Sequence, residues 1–389
     1  MTGTTTRGRF IALTRRFLLY ICFYCRVISP LMKEEFWYKI ANDMNIIISK
    51  KENIFVCGWH KHGSLLNFGC TFNSSQIYTQ NDIVLLDFGS LKCFGRVKKC
   101  WPTKQVVIAI LSNDRHLNEI TRCFRRASIS IELCCPNEHV ILEQVMRMSI
   151  NTLPMSPLIH LILNPNRISA PYLNAQYEYM GHSSLNEGQR KAIMETYKMV
   201  LSGKPNIKLI DGRPGTGKSL TISNLVVQLL QGNEIKNSKP KILICAQSLA
   251  AVDALAVNII KQGPEIRLIT LGTNNYGINL CSTNIENAEV VCTTLTNCLK
   301  LKTSINHFDI CIIDDATKSS EPLTLLPLTN FDVKFLVLVG DNLQIPVITE
   351  SKVSFNFCTI FDKMFCQILI LMSNLKSASL KTYKMTYNT

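Results

Sequence analysis

Asp211-Gly212-Arg213-Pro214-Gly215-Thr216-Gly217-Lys218-Ser219 is the stretch that decides the fold. It satisfies G-x-x-x-x-G-K-[ST], and its surroundings give that pattern meaning. Ile207-Lys208-Leu209-Ile210 before it is short and rich in β-formers; Leu220 to Leu230 after it is apolar enough for a packed helix. Strand, glycine loop and helix in that order make a phosphate cradle. Glycines let backbone N–H groups curl around an anion, and the helix start adds its positive dipole end. In such a cradle Lys218 reaches the β- and γ-phosphates, and the Ser219 hydroxyl completes a Mg²⁺ shell.

Downstream, Ile242 to Ala246, Val290 to Thr293, Ile310 to Ile313 and Phe335 to Val339 are apolar runs of strand length separated by helical stretches. Nearly continuous apolar strands with helical crossovers predict a parallel sheet covered on both faces, with its sites at the carboxyl ends of the strands. Phe308 to Asp315 is one such strand ending in paired acids. Asp314 suits a Mg²⁺ ligand and Asp315 suits a group that orients attacking water, although a turn cap explains the same pair.

Upstream, Pro30 to about Asn45 reads as a helix with Leu31, Phe36, Trp37 and Ile40 on its apolar face. From Ile54 to about Leu133 short strand-like runs (Ile83–Leu86, Gly95–Val97, Val106–Leu111, Ser128–Leu133) predict a small β-barrel. Between Lys92 and Arg126 stand nine Lys/Arg against Asp114 and Glu119, which fits either a solvated basic face or a phosphate-tracking surface. Glu138 to about Ile150 reads as helical. Pro154, Pro157, Pro165 and Pro171 mark a link between domains. Helix resumes at Ser184, with Glu187 completing a capping box and Ile193, Tyr197, Val200 and Leu201 as its apolar stripe.

The 389 residues carry a formal net charge of +14, which points first to nucleic acid as partner and second to an anionic membrane surface. The 16 cysteines form no repeated C-x-x-C pairs, so the reading is reduced thiols in nucleus or cytosol rather than a zinc or disulfide framework. Cys57-Gly-Trp-His60-Lys-His62 has metal-ligating types but is explained equally by strand and turn. Phe17 to Cys25, behind four arginines, is too short to span a bilayer and reads as a buried or frayed helix; no membrane partner is expected.

Taken in order, Leu185 to Gln189, the phosphate loop, Ile242 to Asp253, Val291 to Leu295, Asp314 to Lys318 and Val339 to Pro346 resemble the motifs of superfamily 1 helicases, in the senataxin branch near the nonsense-mediated-decay helicases. Residues from about Leu31 to Pro171 resemble that branch's helical lead-in, stalk and inserted barrel. The resemblance implies an ATPase that moves 5′→3′ on single-stranded RNA or DNA and resolves RNA–DNA hybrids, with RNA-processing or transcription-termination factors as partners. It implies ATP and Mg²⁺ as cofactors, held by Gln189, Gly212, Pro214, Gly215, Thr216, Gly217, Lys218 and Ser219. Lys218, Asp314, Asp315 and Gln344 are the implied catalytic set, and Ser219 and Asp314 the metal ligands. Gln189 would read adenine, Gln344 would sense the γ-phosphate, and Ser248, Thr293 and Thr294 would touch the nucleic-acid backbone. The sequence departs from the family pattern at Arg213 (usually Pro), Asp315 (Glu), Lys318 (Gln), Gln247 and Leu249 (Pro and Asn) and Asn342-Leu343 (Pro-Lys).

The expected organisation is a basic and apolar segment over 1–30, a lead-in, barrel and stalk over 31–150, and a linker over 151–183. A RecA-like α/β domain follows over 184–350: a P-loop NTPase parallel sheet with helices on both faces. A divergent tail of 351–389 is too short for a second RecA-like domain, so duplex unwinding by this chain alone is not expected. The rival readings are a degenerate nucleotide- and nucleic-acid-binding module, and an unrelated phosphate-loop kinase or AAA-type ATPase.

Overall fold

The structure is a computed structural model that describes residues 30–42, 51–72, 78–89, 91–102, 104–124, 129–135, 146, 152–164, 168, 177–181, 184–232, 239–271, 285–341, 343 and 383–385. The segment 1–29, the helix expected over Glu138–Ile150 apart from residue 146, Pro165, Pro171, Gln344 and nearly all of the tail lie outside these residues. The chain divides into two compact units, one within 29–145 and one built from residues between 146 and 348 with a strand from the tail.

The first unit is a closed antiparallel barrel. Helix α1 (30–42) precedes β1 (Glu52–His62), β2 (Leu65–Phe72), β3 (Ile83–Asp87), β4 (Lys92–Trp101), β5 (Gln105–Leu111), α2 (Asp114–Cys123) and β6 (Ile129–Cys135), with strand order β1-β2-β5-β4-β3-β6. Period-2 patterning drives closure, because alternate residues such as Leu66, Phe68, Cys70 and Phe72 on β2 turn inward. Burying each large apolar side chain contributes about 1.5–3 kcal/mol. Asn113 caps α2 by accepting from the His116 N–H, and Leu117 and Ile120 of that helix join the interior cluster. Helix α1 lies on the outside, where Ile40 packs on Cys134, Ile83 and Leu85. Trp37 is a correction to the expected inward stripe: it is 53% exposed and touches Phe94 with ring centroids 5.8 Å apart, while Met32 takes the buried place.

The second unit begins with a 3-10 turn (Leu153–Met155) and the short helix α3 (Ile159–Leu163), so part of the proline-rich stretch is ordered. Leu153, Leu158 and Ile159 are buried. Then follow α4 (Glu187–Leu201), β7 (Asn206–Gly212), α5 (Lys218–Gln231), β8 (Ile242–Ala246), α6 (Leu249–Gln262), β9 (Leu268–Thr270), β10 (Val290–Thr294), β11 (His307–Ile313), α7 (Glu321–Asn330), β12 (Asp332–Gly340) and β13 (Tyr383–Met385). The strands form one parallel sheet of order β13-β7-β12-β11-β8-β10-β9. Helices α4, α5 and α6 share one core with inward residues of β7, β8, β10, β11 and β12, and α7 packs against β11 and β12. Two short strands, β9 and β13, were not marked by any apolar run, because three residues are too few to show a period.

The start of α4 corrects a second expectation. The capping box is Asn186 with Gln189, not Ser184 with Glu187: the Asn186 side chain accepts from the Gln189 N–H and the Gln189 side chain accepts from the Asn186 N–H, each at 2.9 Å. Both pairs have the spacing of a box, and an Asn cap with a Gln partner meets the same geometry as Ser with Glu.

One position tests barrel packing. A Cβ on Gly95 of β4 would stand 2.5 Å from Ile108 Cγ2 and 3.0 Å from Leu86 Cδ1, inside the closed wall. Gly95→Ala is expected to destabilise the barrel by about 1–3 kcal/mol through overpacking, read as a lowered denaturant midpoint with an unchanged slope.

Candidate nucleotide site

The site forms where β7 and β11 end. β7 delivers Gly212, and the loop after it is closed by Thr216, whose N–H and hydroxyl both donate to the Arg213 carbonyl, at 3.2 and 2.7 Å. Gly215 and Gly217 take left-handed backbone, φ +78° and +81°, which a glycine adopts without a Cβ penalty. Pro214 and Arg213 are exposed, so Arg213 points outward. Gly217 opens α5 without any side-chain cap and no acid stands in the first turn, whereas α4 and α6 are capped by Asn186 and Ser248. The first N–H groups of a 14-residue helix are thereby left for an external acceptor.

Lys218 ties the two strand ends together. Its Nζ donates to the Gly212 carbonyl at 3.0 Å and lies 4.0 Å from Asp315 Oδ1. Ser219 follows in the first turn, half-buried. Asp314 is fixed by the sheet, because its N–H donates to the Cys245 carbonyl at 2.9 Å, and it is buried. Its Oδ1 accepts the Asp315 N–H at 3.0 Å. Burial, and next the neighbouring Asp315 charge, push its carboxyl up to about 6. Asp315 sits in left-handed backbone, φ +49°, an uncommon place for a non-glycine residue.

Two of the departures from the family pattern turn out to be one contact. Lys318 Nζ meets Asp315 Oδ2 at 2.8 Å, so the shortened acid is held by the lysine that replaces a glutamine. Sequence reading noted each residue but missed the pairing, although the three-residue spacing carried the signal. A third departure, Gln247, donates its amide to the buried Ser319 hydroxyl.

The remaining expected residues are placed as follows. Gln189 is buried at 2% exposure and both ends of its amide are engaged: Oε1 accepts from Asn186, and Nε2 donates to the Thr216 carbonyl at 2.9 Å. It therefore braces the phosphate loop against the start of α4. Ser248 is exposed at the start of α6 and accepts from the Ala251 N–H at 3.2 Å. Thr294 accepts from the Asn297 N–H at 3.2 Å. Thr293 is fully buried with no partner for its hydroxyl, so the structure places it in the interior rather than on a nucleic-acid-facing surface. Gln344 lies outside the described residues; Asp341, just before it, is buried at the end of β12 and accepts from the Leu343 N–H at 3.0 Å. Cys57, His60 and His62 belong to β1, and among the described residues no group of three or more His, Cys, Asp or Glu is arranged to hold a metal.

Fold and site define a phosphate-loop nucleotide domain. The AAA domain family matches residues 184–282 and 275–352. The chain is 28% identical over 257 residues to the ATP-dependent helicase upf1 of Schizosaccharomyces pombe, covering 53% of this chain and 27% of that protein. It is 33% identical over 187 residues to the DNA replication ATP-dependent helicase/nuclease JHS1 of Arabidopsis thaliana, covering 43% and 13%. It is 46% identical over 92 residues to the probable helicase senataxin of Homo sapiens, covering 21% and 3%. The chain belongs with the superfamily 1 helicases of the Upf1-like family, and it spans at most 27% of the length of these three relatives.

The buried acid gives a stability prediction. A folded carboxyl titrating near 6 against an unfolded value of about 3.9 binds more protons in the folded state, so stability falls as pH rises from about 4 to about 6 and stays lowered above. Asp314→Asn is expected to raise the thermal midpoint at pH 7 in EDTA and to leave it nearly unchanged at pH 4. The check is thermal unfolding across that range.

Proposed function

We propose that the second unit binds Mg-ATP across the ends of β7 and β11, and that its hydrolysis serves movement on single-stranded RNA or DNA, including RNA–DNA hybrids. The observation that carries this reading is Lys218, which stands between the Gly212 carbonyl and the Asp315 carboxylate. Its ammonium is held there by two oxygens that a polyphosphate would replace with stronger, charge-assisted contacts.

The residues fit a hard divalent cation. Ser219 and Asp314 offer oxygen donors, and a buried carboxylate with a raised titration point gains from a cation beside it. Bound there, Mg²⁺ would neutralise charge developing on the phosphates. The loop N–H groups and the uncapped start of α5 would hold the β-phosphate, and Lys218 would reach the γ-phosphate. Asp315 would orient attacking water once it exchanges Lys318 for that water. Gln189 would read adenine by releasing Thr216 and offering its amide, which donates and accepts at once. Ser248 and Thr294 would contact the nucleic-acid backbone, where hydroxyls suit phosphates. The described thiols Cys70, Cys245, Cys292 and Cys311 are free, which suits a reducing compartment, the nucleus or cytosol.

A second reading, a binding module that keeps nucleotide without turning it over, is favoured by the Asp315–Lys318 contact. Aspartate is one carbon shorter than glutamate, about 1.5 Å, and a misplacement of about 1 Å can cost on the order of 100-fold in rate.

Lys218→Ala is expected to weaken binding of a fluorescent ATP analogue about 10- to 150-fold by removing a charge-assisted contact; equal affinities would contradict the site. Asp315→Glu with Lys318→Gln separates the two readings. Faster nucleic-acid-stimulated phosphate release supports the enzyme, and turnover that stays at background in parent and variant supports the binding module.

A further inference from the structure

The β4–β5 hairpin of the barrel carries chemistry that the nucleotide site does not use. Lys98, Lys99 and Trp101 at the end of β4 are exposed, as is Lys104 in the turn that follows. Trp101 leaves 46% of its surface in water. The outward display is built into the backbone. Val97 pairs with Ile108 and Lys99 with Val107, so Lys98 is an extra residue, a bulge of the kind that re-aims neighbouring side chains. Lys104 takes left-handed backbone at φ +58° to close the turn. Across the sheet, Trp101 stands opposite Gln105, and Gln105 opposite Thr71 of β2.

The charges on this side are one-signed. Strands β1, β2, β4 and β5 contain Lys61, Lys92, Arg96, Lys98 and Lys99 against one acid, Glu52, which is buried. Lys61 is paired with Asp114, Lys92 with Asp87, and Arg96 holds the Asn81 side chain. Among the described residues Lys98, Lys99 and Lys104 have no acidic partner. Three unneutralised cations within seven residues of a β-hairpin, beside an indole half in water, contribute little to the fold.

We propose that this hairpin is a second contact for single-stranded nucleic acid, separate from the nucleotide domain: Lys98, Lys99 and Lys104 take backbone phosphates, Trp101 stacks on a base, and Gln105 hydrogen-bonds a base edge. A cationic strip beside an exposed aromatic is the recurring chemistry of sequence-tolerant single-strand binding. Lys99 and Trp101 are two residues apart along the strand, roughly 7 Å, about the span of two nucleotides at a charge spacing of about 3.4 Å. An anionic lipid surface also attracts lysine and tryptophan, but the neighbours of Trp101 across the sheet are an amide and a hydroxyl, which suit base edges and not acyl chains. The inference stands on barrel residues alone and does not require the nucleotide site to work.

The chain contains three tryptophans, so Trp37→Phe with Trp59→Phe leaves Trp101 as the sole indole. Titrating that protein with a short polyuridylate or oligothymidylate strand should quench Trp101 emission. In the otherwise native chain, Trp101→Ala should weaken binding about 5- to 150-fold with an unchanged salt slope. Lys98→Glu with Lys99→Glu should weaken it at every sequence and lower the slope by about two. Fluorescent ATP-analogue affinity should stay at the parent value in all variants, which separates failure of this proposal from failure of the nucleotide site. An unquenched Trp101 at saturating oligonucleotide, or variants that bind the strand like the parent, would overturn the proposal, as would quenching by phosphatidylserine vesicles and not by the strand.

Discussion

The second unit depends on one electrostatic constraint: a buried carboxylate, Asp314, held at the end of a fully apolar strand with a second acid next to it. β11 buries Ile310, Cys311, Ile312 and Ile313 completely, so the chain reaches the site by a segment that can only lie inside a sheet. The N–H of Asp314 is committed to the Cys245 carbonyl of β8, which fixes the position of its carboxylate. The cost of that placement shows in the raised titration of the acid. Lys218, from the far side of β12 in strand order, brings the nearest cation of the phosphate loop to the acidic pair.

Position and freedom are divided between the two acids. Asp314 is immobilised by sheet register and burial, while Asp315 is turned out in left-handed backbone and held by Lys318. The loop shows the same division. Thr216 is locked to Arg213 and to Gln189, yet the first turn of α5 carries no capping side chain. Contacts within the chain thus hold the frame and leave the anion-facing groups open. Gln189 is the link between them, because the residue that completes the α4 capping box also braces the phosphate loop.

How much of this was legible follows from what each signal measures. The five long strands of the parallel sheet were readable because their apolar runs are continuous, and the loop because its glycines are spaced by the anion they hold. Four of the six barrel strands were marked by apolar runs. β1 was not, since its second half, from Cys57 to His62, is almost wholly outside the core and shows no inward alternation. The face of α1 was misjudged at Trp37 because hydrophobicity alone does not say which large side chain a partner will cover; the cover is Ile83, Leu85 and Cys134, which meet Ile40. Thr293 could not be placed from sequence, because a hydroxyl at a strand end points into the sheet or out of it according to register. The Asp315–Lys318 contact was hidden for another reason: each residue was weighed against a pattern, and neither against the other.

The central claim is that the ends of β7 and β11 form one cation-dependent nucleotide site. Calorimetric titration of ADP into the chain, with Mg²⁺ and then with EDTA, tests it most directly when Asp314→Asn is measured beside the parent. The account predicts that Mg²⁺ tightens ADP in the parent and has little effect in the variant, while both bind ADP similarly in EDTA. An equal effect of Mg²⁺ in the two proteins would contradict it.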